Sequence, residues 1–320
     1  MSSDYIARLR QELLRAGATQ PARRRWAPSA RTLRPLAAAA AVALVAVVAV
    51  LAWPETRVDQ PAGGVQLTYR LGTADAERTA EVMRARLAAA GIGDATVGHG
   101  SGGLTITAPA SARADVTALV APGRLAIHDW ERTVLGPRGA PAPADDEVTG
   151  NPDPGNAAAL SREEAEARAR AALPARLARG AGGWYALGGA PAIGNAAVER
   201  AQPAVDPMTE EPIVAIDLTA SGQRAFETLT RELARRGAER ARDGVGREEA
   251  WQHFAIVLDD RILSVPFIDF REVPDGIDGR SGMQIGGGLT PDTARRIAAL
   301  LSAGPLAAGL ELESETAADG

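Results

Sequence analysis

The chain has 320 residues, a formal charge of −5, no cysteine, and arginine as its only strongly basic residue. That length holds about two domains. The acidic balance gives no footprint for nucleic acid, and the lack of cysteine excludes disulfides and thiol nucleophiles without fixing the compartment.

Residues 1–35 read as a cytoplasmic tail. Within it Tyr5, Ile6, Leu9 and Leu13 fall at helical spacing among Arg8, Arg10 and Arg15. Such a basic amphipathic turn either lies on anionic lipid, docks to a partner, or is a solvated helix that helps to fix topology. Leu36 to Trp53 is an uncharged apolar run. At helical rise it spans roughly 27 Å, close to the ~30 Å hydrocarbon core of a bilayer. Arg23, Arg24, Arg25, Arg31 and Arg34 precede it, whereas Glu55, Arg57 and Asp59 follow. The positive-inside rule then puts the N-terminus in the cytoplasm and the bulk of the chain outside. A cleaved signal peptide is the rival reading, with Val50-Leu51-Ala52 as its cleavage site. The long basic region and the long apolar run favour an uncleaved anchor.

After a Pro/Gly joint at Gln60 to Gly64, Val65–Leu71 alternates like a half-buried strand. Ala74–Ala90 predicts an amphipathic helix closed by Gly91. Strands at Ala95–Val97 and Leu104–Ala108, a helix at Ala112–Val120 and a strand at Arg124–Asp129 complete a βαββαβ order over 65–135. That is the ferredoxin-like pattern. Residues 136–183 read as a linker and an exposed helix. Gly, Pro and Asp dominate its first part, then Ser161 and Glu164 form a capping box, Leu160 and Ala165 stand as a staple, and Pro174 breaks or kinks the helix.

A second α+β run occupies 184–313. Ile213–Leu218, Phe254–Leu258, Ile262–Val265 and Met283–Ile285 read as strands. Ser221–Arg236 is a helix with Phe226, Leu229 and Leu233 on one face. Thr290–Ala303 is another, with Thr290 as N-cap, Pro291 at N1 and Gly304-Pro305 as its stop. Leu310–Leu312 adds a last strand, and 314–320 is a tail. The fold class expected is therefore α+β behind one transmembrane helix.

Few residues suggest chemistry. Asp259-Asp260 lies between two apolar runs, where aspartate favours a tight turn through its tolerance of positive φ. A metal site would need further converging ligands, and His99, His128 and His253 stand singly. Gly286-Gly287-Gly288 before Thr290 resembles a phosphate cradle but lacks the Lys-Ser/Thr of a P-loop. It reads as a strand-to-helix turn where side chains would clash. No cofactor is expected.

Three stretches carry a resemblance. AIVLDDRILSVPFI (Ala255 to Ile268) resembles the AIVLDGxVxSAPxI segment of SecD, the accessory subunit of the bacterial Sec translocase, with Asp259, Ser264 and Pro266 in register. Ile285 to Leu306 resembles that family's IxGxFTxEEAxxLAxxLxxGAL stretch through Ile285, Gly287, Thr290, Ala294 and Gly304. Ile213 to Thr230 resembles its strand and helix ending in Phe226 and Thr230. Leu289, Pro305 and Ala307 depart from the pattern. In SecD further membrane helices follow this region, so the chain is similar to its first transmembrane helix and large first periplasmic region, P1, with base and head subdomains.

The resemblance implies a non-catalytic, membrane-anchored, extracytoplasmic module that binds unfolded or exported polypeptide, alone or with Sec translocase components. A single-pass regulator with a partner-binding tail is the alternative. An enzyme built on Asp259 is a third reading, and it lacks a second catalytic element.

Overall fold

A computed structural model describes residues 63–318, apart from 73–74, 101–102, 137–158, 173, 181–182, 245 and 308. The expected tail, the Leu36–Trp53 span and most of the linker lie outside the described residues. Among those described, no helix is long and apolar enough to cross a membrane.

The first sheet begins with β1 (Gly64–Arg70), whose Val65, Leu67 and Tyr69 point inward while the residues between them stay partly wet. Helix α1 (Ala76–Ala89) is capped by the Asp75 carboxylate, which accepts from Arg78 N–H, and it buries Ala80, Val82, Met83 and Leu87. β2 (Thr96–Gly100) and β3 (Gly103–Pro109) form a hairpin, and Leu104, Ile106 and Ala108 of β3 join the same core. Helix α2 (Arg113–Leu119) adds Val116 and Leu119.

The strand expected to close this sheet does not. β4 (Leu125–Asp129) instead pairs antiparallel with β10 (Gln252–Leu258) in a different, seven-stranded sheet. The first sheet is completed by β14 (Glu311–Ala318), giving the order β14-β1-β3-β2 with every neighbour antiparallel. Burial explains the exchange. Leu125, Ala126, Ile127 and His128 are all buried, as suits a strand covered on both faces. ELESETAA is almost wholly exposed, as suits an edge.

The seven-stranded sheet also takes in β5 (Ala175–Arg179), β6 (Trp184–Gly188), β7 (Ile193–Gly194), β11 (Arg261–Ser264) and β12 (Phe267–Ile268). The one-turn helix α3 (Trp130–Thr133) follows β4. Helix α4 (Arg162–Ala171) starts on the expected Ser161/Glu164 capping box. After Pro174 the chain forms β5, because Pro174 blocks continuation of the helix.

Helix α5 (Ala220–Arg242) runs longer than its apolar face suggested and packs Phe226 edge-on against Phe254 of β10. A three-stranded sheet, ordered β13-β9-β8, contains β8 (Val198–Val205), β9 (Pro212–Leu218) and β13 (Met283–Ile285). Helix α6 (Pro291–Ala303) lies against it, and Ser302 Oγ donates to Ala201 C=O at 2.5 Å. Thr290 caps α6, Pro291 opens it and Gly304 closes it, as expected.

One core runs from Val65 through Leu306, and a smaller one gathers Ala126, Trp130, Ala178, Tyr185, Leu187, Ala255 and Val257. β10 stands between them, which is why its whole length is buried.

Candidate functional site

The Asp259-Asp260 pair turns the chain between β10 and β11. Asp259 adopts φ of 58°, the left-handed conformation that aspartate tolerates better than most residues. Its Oδ1 accepts from Arg124 N–H at 2.9 Å, and its own N–H donates to Arg124 C=O at 2.8 Å. The turn therefore grips residue 124 at the entry to β4.

That grip is part of a larger junction, where 119–125 runs beside 304–307. Leu306 N–H donates to Pro122 C=O at 2.8 Å, and Arg124 Nη2 donates to Ala307 C=O at 2.8 Å. Asn195 spans two backbone groups: its Nδ2 donates to Gly123 C=O and its Oδ1 accepts from Leu125 N–H. At the centre sits Arg86 of α1, fully buried. Its Nη1 donates to Leu119 C=O at 2.6 Å and Ala121 C=O at 2.5 Å, and its Nη2 to Pro122 C=O and Gly304 C=O at 2.8 Å. Burial lowers its pKa to about 10, against the opposing pull of Asp259, so it stays charged at neutral pH. Gly123 has φ of 75°, and a Cβ there would lie 2.6 Å from the Arg86 guanidinium.

At the other end of the same strands the chain is open. From Arg261 to Ile268 it follows β10 as an edge. Ile256 pairs with Ser264, Phe254 N–H donates to Pro266 C=O at 3.1 Å, His253 pairs with Phe267, and Gln252 pairs with Ile268. On its outer side β5 meets it only at Arg261↔Arg179. Beyond that point Ile262 to Ile268 has no strand partner on the outside among the described residues. Ile262, Leu263, Val265 and Pro266 are half-buried, and Phe267 is 45% exposed. The Phe267 ring stacks on Trp251 at 4.1 Å and 7°. Beneath it His253 is buried, with Nδ1 2.7 Å from the Glu131 carboxylate, which also accepts from His253 N–H.

The other motif residues are spread through the framework. Thr230 Oγ1 donates to Phe226 C=O and accepts from Ile277 N–H, tying α5 to a distant loop. Ile285 and Ala294 are core residues. Ser264 and Pro266 belong to the open edge itself. Gly287 and Gly288 have φ of 98° and 75° with free space around the missing Cβ, so left-handed backbone rather than crowding requires glycine there. Only Gly286 is crowded, by Ile213.

His128 is fully buried with neither ring nitrogen bonded, and desolvation, reinforced by Arg176, depresses its pKa to about 4. Among the described residues, no three His, Cys, Asp or Glu side chains converge as a metal site. Arg86, Asn195 and Glu131 were not singled out by sequence. For Arg86 a signal existed, since it falls on the buried stripe of α1 three residues after Met83.

These features define an α+β body with one end stitched and one apolar strand edge left open. Residues 171–308 match the family model for the SecDF P1 head subdomain, and this part of the chain is a SecD-like P1 head region. Among solved structures, SecDF in a super-membrane-facing form is 20% identical, with a TM-score of 0.48, covering 79% of this chain and 30% of that one. A structure of SecDF as a membrane component that enhances protein export is 17% identical, with a TM-score of 0.47, covering 78% and 98%. SecDF from Thermus thermophilus, a translocon-associated membrane protein, is 20% identical, with a TM-score of 0.28, covering 78% and 30%. The chain thus spans about 30% of the first of these SecDF chains. No curated protein matches it.

Proposed function

We propose that this chain is a non-catalytic, membrane-anchored module that holds unfolded or exported polypeptide outside the cytoplasm, as an accessory to protein export. The observation that carries this reading is the open apolar edge from Ile262 to Ile268, on a part of the chain that matches the SecDF P1 head. A strand edge with half-buried apolar side chains, an exposed Phe267 and outward backbone groups is a liability unless something covers it, and extended polypeptide is what such an edge accepts. The match to the SecDF P1 head supports the setting in export and Sec translocase components as partners. Leu36–Trp53 supplies the anchor, with residues 1–35 on the cytoplasmic side.

On this reading the first sheet is a ferredoxin-like base split by an inserted head. β1, β2 and β3 with α1 and α2 come before the insertion, and β14 returns after it. The stitched junction joins the two. None of the described polar groups is asked to do chemistry, and the Asp259 carboxylate is occupied with Arg124.

A photoreactive residue at position 267 of the full-length chain, in cells with a stalled export substrate, tests the proposal. Adducts to the stalled polypeptide are expected at position 267 and not at exposed Arg224 on α5. No adduct at 267, or equal yields at both positions, removes the reading.

A further inference from the structure

The geometry points to a specific mode of capture, which rests on the polypeptide-holding reading above: an extended segment adds to the outer edge of β11–β12 as an antiparallel strand, with an acidic group at its C-terminal end beside Arg261 and Arg179.

Hydrogen-bond direction carries the first half. In an antiparallel ladder, residues alternate between turning both backbone groups toward the neighbour and turning both away. His253 donates its N–H to the Glu131 carboxylate, on the side of β10 away from β12. His253↔Phe267 is therefore a non-hydrogen-bonded pair, and the N–H and C=O of Phe267 face outward. Pro266 turns its C=O inward to Phe254 N–H. Its missing N–H thus costs the outer edge no donor, so this proline does not protect the edge as prolines on edge strands often do. The outward groups need a strand as partner. A helix or an acyl chain offers no matching row of donors and acceptors.

Charge carries the second half. β5 stops at Arg179, directly beside Arg261 in parallel register, and both arginines are exposed. Neither forms an ion pair among the described residues, and Asp260, in the adjoining turn, pairs with neither. Two like charges in neighbouring register repel and are relieved by an incoming carboxylate. A strand antiparallel to 261→268 brings its C-terminal end to these arginines. A parallel strand would bring its N-terminal end there, with a repelled amine if that end is free. The occupant is thus an apolar segment with an aspartate, a glutamate or a free carboxylate near its C-terminal side. Phe267 on Trp251 supplies a flat apolar surface for a side chain at the other end.

The experiment uses the full-length chain in detergent with an N-terminally labelled, C-terminally amidated peptide of alternating valine and threonine whose last residue is aspartate, read by anisotropy. N-methylating one alternate set of amides should weaken binding by at least about tenfold and the other set by much less, since only one set faces the edge. Moving the aspartate to the N-terminal end should weaken it by about threefold to tenfold, and R179E with R261E should invert that preference. Equal tolerance of both N-methylated sets, with binding retained, overturns strand addition while leaving polypeptide holding intact. Indifference to the position of the aspartate overturns the antiparallel assignment. Failure to bind any of these peptides, together with no crosslink at position 267, overturns both.

Discussion

The two ends of the run from β10 to β12 make the informative contrast. At Asp259 both backbone and side chain are bonded to Arg124, and four neighbouring carbonyls converge on Arg86. At Phe267 the backbone faces outward and the ring is half in water. The same few strands therefore end in a saturated region at one side and an unsaturated one at the other. Saturated backbone costs energy to disturb, and unsaturated backbone is available for a partner. The comparison predicts that changes at the first end act on stability, and that changes at the second act on binding.

The largest effect is expected at Arg86. Replacing it with methionine keeps the apolar packing of α1 but leaves four buried carbonyls without donors. A loss of about 3–5 kcal/mol follows, from breaking a buried, hydrogen-bonded charge. Lysine should recover only part of this, because one ammonium cannot meet four carbonyls in a planar fork. Urea unfolding of the two variants measures it. A loss under about 1 kcal/mol for methionine would mean that the junction does not depend on the four bonds to Arg86.

His128 tests the contrast by pH. It lies on β4 with both ring nitrogens unbonded, and its folded pKa of about 4 is below the ordinary value of 6.5. The unfolded chain binds the proton more readily. The neutral ring's stability is thus fully present above about pH 6.5 and lost as pH falls toward about 4, on the order of 3 kcal/mol. Unfolding midpoints measured across that window should slope upward with pH, and His128→Leu should flatten that part of the slope. If the slope survives unchanged, another group carries it.

Much of the framework was legible because its signals are local. Thr290, Pro291 and Gly304 bracket α6, Ser161 and Glu164 open α4, and Asp259 turns a hairpin between two apolar runs; each is decided within a few residues. What sequence did not disclose is non-local. β4 could be recognised as a strand, yet its choice of β10 over β1 depends on residues more than a hundred positions away. The polar segment 311–318 looked mostly like a tail, because an edge strand buries too little to leave an apolar pattern. The open edge was hidden in the same way. Its sequence reads as an ordinary apolar strand, and among the described residues it is the early end of β5 at Arg179 that leaves it without an outer strand.

Asp259 gives a finer test of the turn. Alanine there loses the acceptor for Arg124 N–H and is strained at φ of 58°, so about 1–2 kcal/mol should go. Asparagine keeps an oxygen acceptor and tolerates that conformation, so it should cost under about 1 kcal/mol and leave peptide binding unchanged. A large loss of function in Asp259→Asn with intact stability would instead return the carboxylate to consideration as a reactive group.

Phe267→Ser carries the smallest expected effect on stability and the sharpest on the contrast. The ring already stands 45% exposed and touches mainly Trp251, so truncation removes little buried area and should cost about 1 kcal/mol or less. Serine leaves the outward N–H and C=O in place, so strand addition is still possible, but the flat apolar surface beside it is gone. Peptide affinity should therefore fall by about tenfold while the urea midpoint scarcely moves, the reverse of the Arg86 pattern. If Phe267→Ser unfolds the chain as readily as Arg86→Met, the ring is a core element and the edge is not poised for a partner. If both stability and affinity are untouched, the backbone of the edge does the holding and the aromatic stack is incidental to it.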